Sequence, residues 1–518
     1  MARLIDFFER GLRMSAEAPC FAEPGGRVLD YGTVADISHR IANGLHAAGI
    51  GPGDKVGLLS PNHLLTFVAV LGIVRSRGVW LPVNARNSIE ENLHVLARGH
   101  CAFLFLHGSF AGDLDQIRAA LPDLKGLVFI DGPQEQAPGL EEWAAIQSAA
   151  PVESEASADE VVAIRGTGGT TGLPKGVLVT HRMYATLLAN WFAAMPVRET
   201  PVHLVVAPLT HAAGMVAFAT LAYGGVNIVL PSARPEAILE AIERHRVTQL
   251  FCPPTVIYRL LAHSDARRRR YDSLRYFVYS AAPMSAAKLE LALEVFGPVM
   301  VQCYGQAEAP FTCTSMTAED HIAAMQPGAG HRLASCGRAA PFARVEVMDP
   351  QGRLLGADER GQIVVRGDLV MPGYYNNPEG TAQALRDGWL HTGDVGYRDV
   401  DGFFYIVDRM KDLIISGGFN ISPGEIEQVL WAHPLVNDCA VIGVPDEDWG
   451  EAVKAIVELK PGAAWSEEQA IAYCRSRLDG MKTPKSVEFR DELPRSQVGK
   501  VLKQQLREPY WAGRDRRV

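Results

Sequence analysis

Paired cysteines are missing from this chain. Its 518 residues hold eight, at positions 20, 101, 252, 303, 313, 336, 439 and 474, and none form a C-x-x-C arrangement. They read as reduced, mostly buried thiols of a cytosolic protein, with no disulfide framework. A long apolar run is missing too. The most apolar stretch, Leu64 to Val74, falls well short of the ~20 residues a membrane span needs. Met1 to Leu12 mixes Arg3, Asp6, Glu9 and Arg10 with apolar residues, the pattern of an amphipathic helix and not of a signal peptide. Nor is there an excess of positive charge: 50 Lys and Arg against 59 Asp and Glu leave −9. No overall pull toward nucleic acid or an acidic membrane follows, and the basic runs Arg267 to Arg270 and Arg507 to Arg517 read as solvated faces. A soluble, cytoplasmic protein of more than one domain is expected.

What is present is a succession of apolar strands and helices. Asp54 to Leu59 reads as a strand, Asn62 as the cap of a helix apolar on nearly every face, and Val79 to Val83 as a returning strand. Cys101 to Leu106, a helix near Asp113 to Leu121, and Leu124 to Ile130 repeat the unit, and Gly132 to Ala158 reads as a connector. A second series is expected from the glycine-threonine loop after Ile164, with strands at Val202 to Ala207, Val226 to Val229, Thr248 to Cys252, Tyr276 to Ser280 and Val299 to Gln302. From Arg332 to Asp408, short strands between Gly-Asp-Asn turns (Val345 to Met348, Gln362 to Arg366, Phe403 to Val407) suggest antiparallel or barrel-like sheet. Past Arg409 lie about 110 residues, the size of a small domain. They hold a helix near Gly424 to Ala432, strands at Asp438 to Val444 and Val453 to Leu459, and a helix capped by Ser466 with Gln469 three on. The fold class is α/β: a large N-terminal body of two doubly wound subdomains plus a small distorted barrel, with an α+β C-terminal domain.

Between Val161–Ile164 and Val177–Val179 runs Gly166-Thr167-Gly168-Gly169-Thr170-Thr171-Gly172-Leu173-Pro174-Lys175-Gly176. Glycine lets a backbone approach a polyanion closely, and the hydroxyls and one lysine supply donors without bulk. The Walker A pattern does not fit, because Pro174 precedes Lys175 and Gly176 follows it. A plain surface loop is the alternative.

Other candidates are individually weak. Tyr304-Gly305-Gln306-Ala307-Glu308 follows a strand at the carboxyl end where open α/β sheets place ligands, and would suit a flat base and a Mg²⁺-bound phosphate. His391-Thr392-Gly393-Asp394 reads as a turn whose aspartate could accept from two ribose hydroxyls. Arg409-Met410-Lys411-Asp412 bridges the two domains, and Pro494 to Lys500 sets one lysine on a turn of the smaller one.

In this order and spacing the set resembles the adenylate-forming superfamily of acyl-CoA synthetases, aryl-CoA ligases, peptide-synthetase adenylation domains and firefly-type luciferases. The resemblance covers essentially the whole chain: GGTTGLPKG, PLTHAAG (Pro208 to Gly214), YSAAP (Tyr279 to Pro283), YGQAE, VVRGDLVMPGYY, WLHTGD, DRMKDLIISGGFNISPGEIE and PRSQVGK. It implies an ATP-binding domain over 1–408, a hinge over 409–411 at Lys411, and a mobile domain over 412–518. By the same resemblance Thr167, Gly168, Gly169, Thr170, Thr171, Gly172 and Lys175 hold the phosphates, and Glu308 with Thr170 or Thr171 holds Mg²⁺. Tyr304 stacks near adenine with Ala281, Ala282 and Pro283 beside it, and Gly305 and Gln306 belong to the same ATP/AMP-binding set. Asp394 binds ribose with Arg409 close by, and Lys500 bridges the carboxylate and α-phosphate. His211 matches a residue beside the acyl pocket, to which Trp191, Met215 and Ala309 could contribute, and Gly417-Gly418-Phe419 would let the pantetheine arm of CoA pass.

Three departures stand out: Gly168 in place of Ser, Ala307 in place of the Thr of YG-x-T-E, and Ser280 in place of Gly. None removes a charged group. Leu209 to Gly214 carries no carboxylate to pair with a substrate ammonium, which argues against amino acids. The sequence runs eighteen residues past Lys500, leaving no room there for a fused carrier domain. The expected activity is an AMP-forming ligase joining a fatty, aromatic or terpenoid-like acid to CoA, in a monomer or homodimer. The rivals are an acyl-AMP ligase loading a separate carrier protein and a catalytically silent homologue.

Overall fold

The computed structural model describes residues 2–134, 136–153, 155–166, 175–416, 419–496 and 500–512, with Lys411 and Asn420 described for their backbone alone. Among them, three sheets organise the chain. The first has six strands in the order Gly126–Phe129, Cys101–Leu106, Lys55–Ser60, Val79–Asn84, Val161–Gly166 and Gly176–Thr180, parallel except for the last. The glycine-threonine loop thus joins an antiparallel pair that closes this first sheet and does not open the second series. The reason is register: Ile164 pairs with Leu178 and Arg165 with Val177 across the hairpin.

The second sheet has fourteen strands. Its parallel half runs Met300–Gln306, Tyr276–Tyr279, Gln249–Cys252, Val202–Val205, Val226–Val229 and, unforeseen from the sequence, Pro19–Ala22 near the start of the chain. At Met300–Gln306 the sheet turns antiparallel through Ala309–Met316 and continues into Gly337–Ala339, Phe403–Arg409, Trp389–Arg398, Gly361–Arg366 and Arg344–Met348. The barrel-like segment is therefore hydrogen-bonded to the parallel half.

The two sheets share one core, and two helices lie wholly inside it. Leu64–Arg75 is buried at every residue, as is Ala213 to Leu221 of Ala212–Leu221. Both sequences are apolar all round, as a helix enclosed on every side must be. The Leu64–Arg75 cap is His63, whose Nδ1 accepts from Leu65 N at 3.2 Å. Asn62, expected in that role, instead donates to Ala207 O at 3.1 Å and accepts from Leu209 N at 2.9 Å. Its amide ties the first sheet to the loop ahead of Ala212–Leu221. The connector after Gly132 contains a short helix, Leu140–Ala145.

All eight cysteines are buried and free. The Arg267 to Arg270 run is spent on surface ion pairs with Glu294, Asp265, Glu243 and Asp272. No helix of the described residues is long and apolar enough to cross a membrane.

The third sheet, of five strands, is built after Arg409: Phe419–Ile421, Ile414–Ser416, Gly450–Leu459 and Val436–Asp446, with Ser486–Arg490 parallel to Gly450–Leu459. Its core gathers Ile426 and Leu430 from Pro423–Trp431 and Ala470 and Cys474 from Glu467–Arg475. The reciprocal cap read from Ser466 and Gln469 is formed.

Candidate active site

One antiparallel pairing and one side-chain hydrogen bond of the second sheet converge on Asp394. Strand Trp389–Arg398 pairs Asp394 with Arg409, the last residue of Phe403–Arg409. His391 to Asp394 thus belong to a strand, not the turn expected of TGD; Gly393 has φ +75°, and the pairing shifts register just beyond Asp394. Asp394 is 3 % exposed. Its Oδ1 pairs with Arg409 Nε at 3.0 Å, and its Oδ2 accepts from the Tyr304 hydroxyl at 2.7 Å. Burial, then the Asp394 charge, push the Tyr304 phenol well above its ordinary pKa, so it remains a donor.

Tyr304, Gly305 and Gln306 complete the strand Met300–Gln306 and do not follow it. Gly305 is set by the fold: a Cβ there would lie 2.4 Å from Phe311 N and 2.7 Å from Ala309 O, in the backbone of the facing strand. Gln306 reaches Thr392 O at 3.4 Å. Glu308 lies in the tight connection between the two strands, 8 % exposed, and accepts from Tyr374 Oη at 2.6 Å. Lys175 Nζ sits 4.9 Å from the centroid of that same Tyr374 ring. A lysine and a carboxylate are thereby brought to one tyrosine, at the foot of the loop. Tyr374 stands in the PGYY segment, but 66 residues separate it from Glu308, and the sequence alone does not join them.

Ala281 follows the buried strand Tyr276–Tyr279 with φ +76°. A left-handed non-glycine residue costs about 1–2 kcal/mol, the kind of strain that collects at ligand sites. Ala282 is half-buried and Pro283 exposed beside it. His211 precedes Ala212–Leu221 but makes no side-chain cap; its Nδ1 meets Thr210 Oγ1 at 3.0 Å. Burial, with the charges of Arg165 and Arg86, brings its pKa down to about 3, so the ring is neutral. Of the residues considered beside it, Trp191 stacks on Phe311 with centroids 5.7 Å apart, and Met215 and Ala309 are buried.

Lys500 arrives from the third sheet's domain. A small turn carries it: Ser496 N donates to Lys500 O at 2.7 Å, Lys500 N to Ser496 Oγ at 3.1 Å, and Arg495 bridges to Val501. Arg495 anchors the turn through Asp438 at 2.7 Å and Glu458 at 3.2 Å. The ammonium is brought within range of the first domain's charges. Burial and then Arg409 lower its pKa to about 8, against the opposing pull of Asp394 and Asp412. Behind it, Lys503 pairs with Glu427 at 2.8 Å and reaches Asp408 at 4.0 Å. Asp408 and Glu427 keep this buried lysine charged against burial.

Thr167, Gly168, Gly169, Thr170, Thr171, Gly172, Gly417 and Gly418 lie outside the described residues. Lys411 is described only for its backbone, in the 3-10 turn Met410–Asp412. Phe419 opens the next strand, 64 % exposed.

The matches to known proteins agree with this geometry. Residues 8–375 match the family model of the AMP-binding enzyme, and residues 425–500 that of the AMP-binding enzyme C-terminal domain. The chain is 37 % identical over 503 residues to a feruloyl-CoA synthase of Amycolatopsis sp, covering 97 % of this chain and 98 % of that one. It is 35 % identical over 510 residues to the medium/long-chain-fatty-acid–CoA ligase FadD8 of Mycobacterium tuberculosis, covering 95 % and 88 %. The crystal structure of ATP-bound MatB from Rhodopseudomonas palustris superposes with a TM-score of 0.88 at 31 % identity, covering 98 % and 99 %. The chain belongs to the AMP-binding, adenylate-forming acyl-CoA ligase family.

Proposed function

We propose that this protein activates a fatty, aromatic or terpenoid-like carboxylic acid with ATP and transfers the acyl group to CoA. In the first step a carboxylate oxygen attacks the α-phosphorus, the bond to the bridging oxygen breaks, and pyrophosphate leaves with its electrons. In the second, the CoA sulfur, having given up its proton, attacks the acyl carbon, and AMP leaves. Both reactants of the first step are anions, so catalysis is mostly positioning and charge neutralisation.

The carrying observation is Lys500, a cation held by the C-terminal domain within range of Asp394 and Arg409. In this reading Lys500 bridges the carboxylate and α-phosphate oxygens. Asp394 accepts from the ribose hydroxyls, and Tyr304 and the Ala281–Pro283 loop flank adenine. The 167–172 loop and Lys175 cradle the outer phosphates. A single buried carboxylate steadied by Tyr374 suits Mg²⁺, which keeps waters and takes phosphate oxygens as its other ligands. Glu308 and Thr170 would hold it, and it would supply charge neutralisation on the phosphates. For the second step residues 412–518 turn about Lys411, withdrawing Lys500 and bringing Gly417, Gly418 and Phe419 to the pantetheine path.

Incubation of the purified enzyme with ATP, Mg²⁺ and a panel of acids, with and without CoA, tests the reading. Acid-dependent ATP–pyrophosphate exchange together with CoA-dependent AMP release is expected. Exchange without CoA turnover would instead indicate a carrier-protein loader, and no exchange with any acid a silent homologue.

A further inference from the structure

One half-buried cation takes no part in that chemistry. Arg165 stands near the end of Val161–Gly166, immediately before the glycine-threonine loop, yet its side chain turns to the helix Ala212–Leu221. Its Nη1 meets Met215 Sδ at 3.6 Å. Met215 lies four residues after His211, on the same side of the first helical turn. The Arg165 charge acts on the neutral His211 ring and on the buried Tyr184 phenol. Among the described residues no carboxylate forms an ion pair with Arg165, and residues 167–174 contain no Asp or Glu in sequence. The charges felt by Lys500 are those of Arg409, Asp394, Asp412 and Lys503, whereas His211 feels Arg165 and Arg86.

A guanidinium set among a thioether, a phenol and a neutral imidazole has donors that these groups do not match with a counter-charge. We propose that Arg165 is a specificity-determining residue that donates to a second oxygen acceptor on the acyl group, remote from the carboxylate being activated. The preferred acids carry a phenol, keto or carboxylate oxygen at that distance. This rests on the ligase reading and names its substrate class. A site built to hydrogen-bond a substrate oxygen discriminates strongly against the analogue lacking it, because its own donors are then left unpaired.

The test compares acids matched in length and shape, each with and without the distal oxygen: 4-hydroxycinnamate with cinnamate, a keto acid with its alkanoate, and a dicarboxylate with the monocarboxylate. Acid-dependent ATP–pyrophosphate exchange gives kcat/KM for each in the wild type and in Arg165→Leu. For at least one pair the wild type is expected to favour the oxygenated acid, with that ratio falling at least tenfold in Arg165→Leu. Arg165→Lys, which keeps the charge without the planar fork, is expected to fall between, and it carries the test if the leucine variant melts below assay temperature. A ratio unchanged by substitution overturns the proposal, including the case in which both acids fall together or the KM for ATP rises equally with each. Absence of exchange with every acid in the wild type would instead overturn the ligase reading.

Discussion

The Tyr304 hydroxyl and the Arg409 guanidinium hold opposite oxygens of one buried carboxylate, Asp394, at 2.7 and 3.0 Å. A carboxylate fixed on both sides is pre-aimed, so on the proposed reading a ribose would meet it without having to order it. Asp394→Ala should raise the KM for ATP roughly 10- to 100-fold, the loss of about 1.5–3 kcal/mol expected for charge-assisted hydrogen bonds. Tyr304→Phe removes one support and keeps the charge, so a smaller rise is expected. Steady-state exchange at varied ATP checks both.

Lys500 should give the adenylation step a basic limb. Its pKa lies near 8, below the ordinary lysine value of 10.5, so the cation is present below pH 8 and lost as pH rises through it. The kcat/KM for ATP–pyrophosphate exchange should therefore decline above about pH 8, and Lys500→Arg should move that limb upward. The stability sign is opposite. Between pH 8 and 10.5 the unfolded chain binds more protons, so the docked arrangement gains stability with rising pH. Lys500→Ala should cost exchange about 10²–10³-fold while thioester formation from supplied acyl-AMP persists.

The buried pair Lys503–Glu427 ties the final helix, Lys503–Trp511, to Pro423–Trp431. Lys503→Met leaves Glu427 enclosed and uncompensated, which should destabilise by about 3–5 kcal/mol. Adding Glu427→Gln should recover part of that loss. Urea unfolding followed by tryptophan fluorescence of this domain gives the comparison.

Gly305→Ala would drive a methyl into the Phe311 backbone. Because no flexible side chain can yield there, a loss of about 1–3 kcal/mol is expected, as for other overpacked sites. The hairpin that aligns Tyr304 with Glu308 would shift with it. Thermal melting should fall, and ATP affinity should fall with it.

Much of this was legible from periodicity and capping. Cys101–Leu106 reads directly from its apolar run, and Ser466 with Gln469 from the capping pattern. What escaped depended on distance along the chain. Asn62 looks like a cap because its own segment is all a reader sees, but its partners are Ala207 and Leu209. His391 to Asp394 look like a turn because Gly393 is a turn residue, while the pairing with Arg409 that makes them a strand is supplied from outside. Arg165 lies just outside the apolar run Val161–Ile164 and draws no notice until the helix carrying Met215 is laid against it. Short-range order is encoded by neighbours, and the site is assembled by strangers.

Arg409 is the last rung pairing Phe403–Arg409 with Asp394, and it lies two residues before Lys411, the proposed pivot. If the proposed rotation about Lys411 takes place, that rung would stay clamped, and the grip on the nucleoside would stay constant while the ammonium came and went. On that proposal the enzyme would release its leaving groups in turn without letting the intermediate slip.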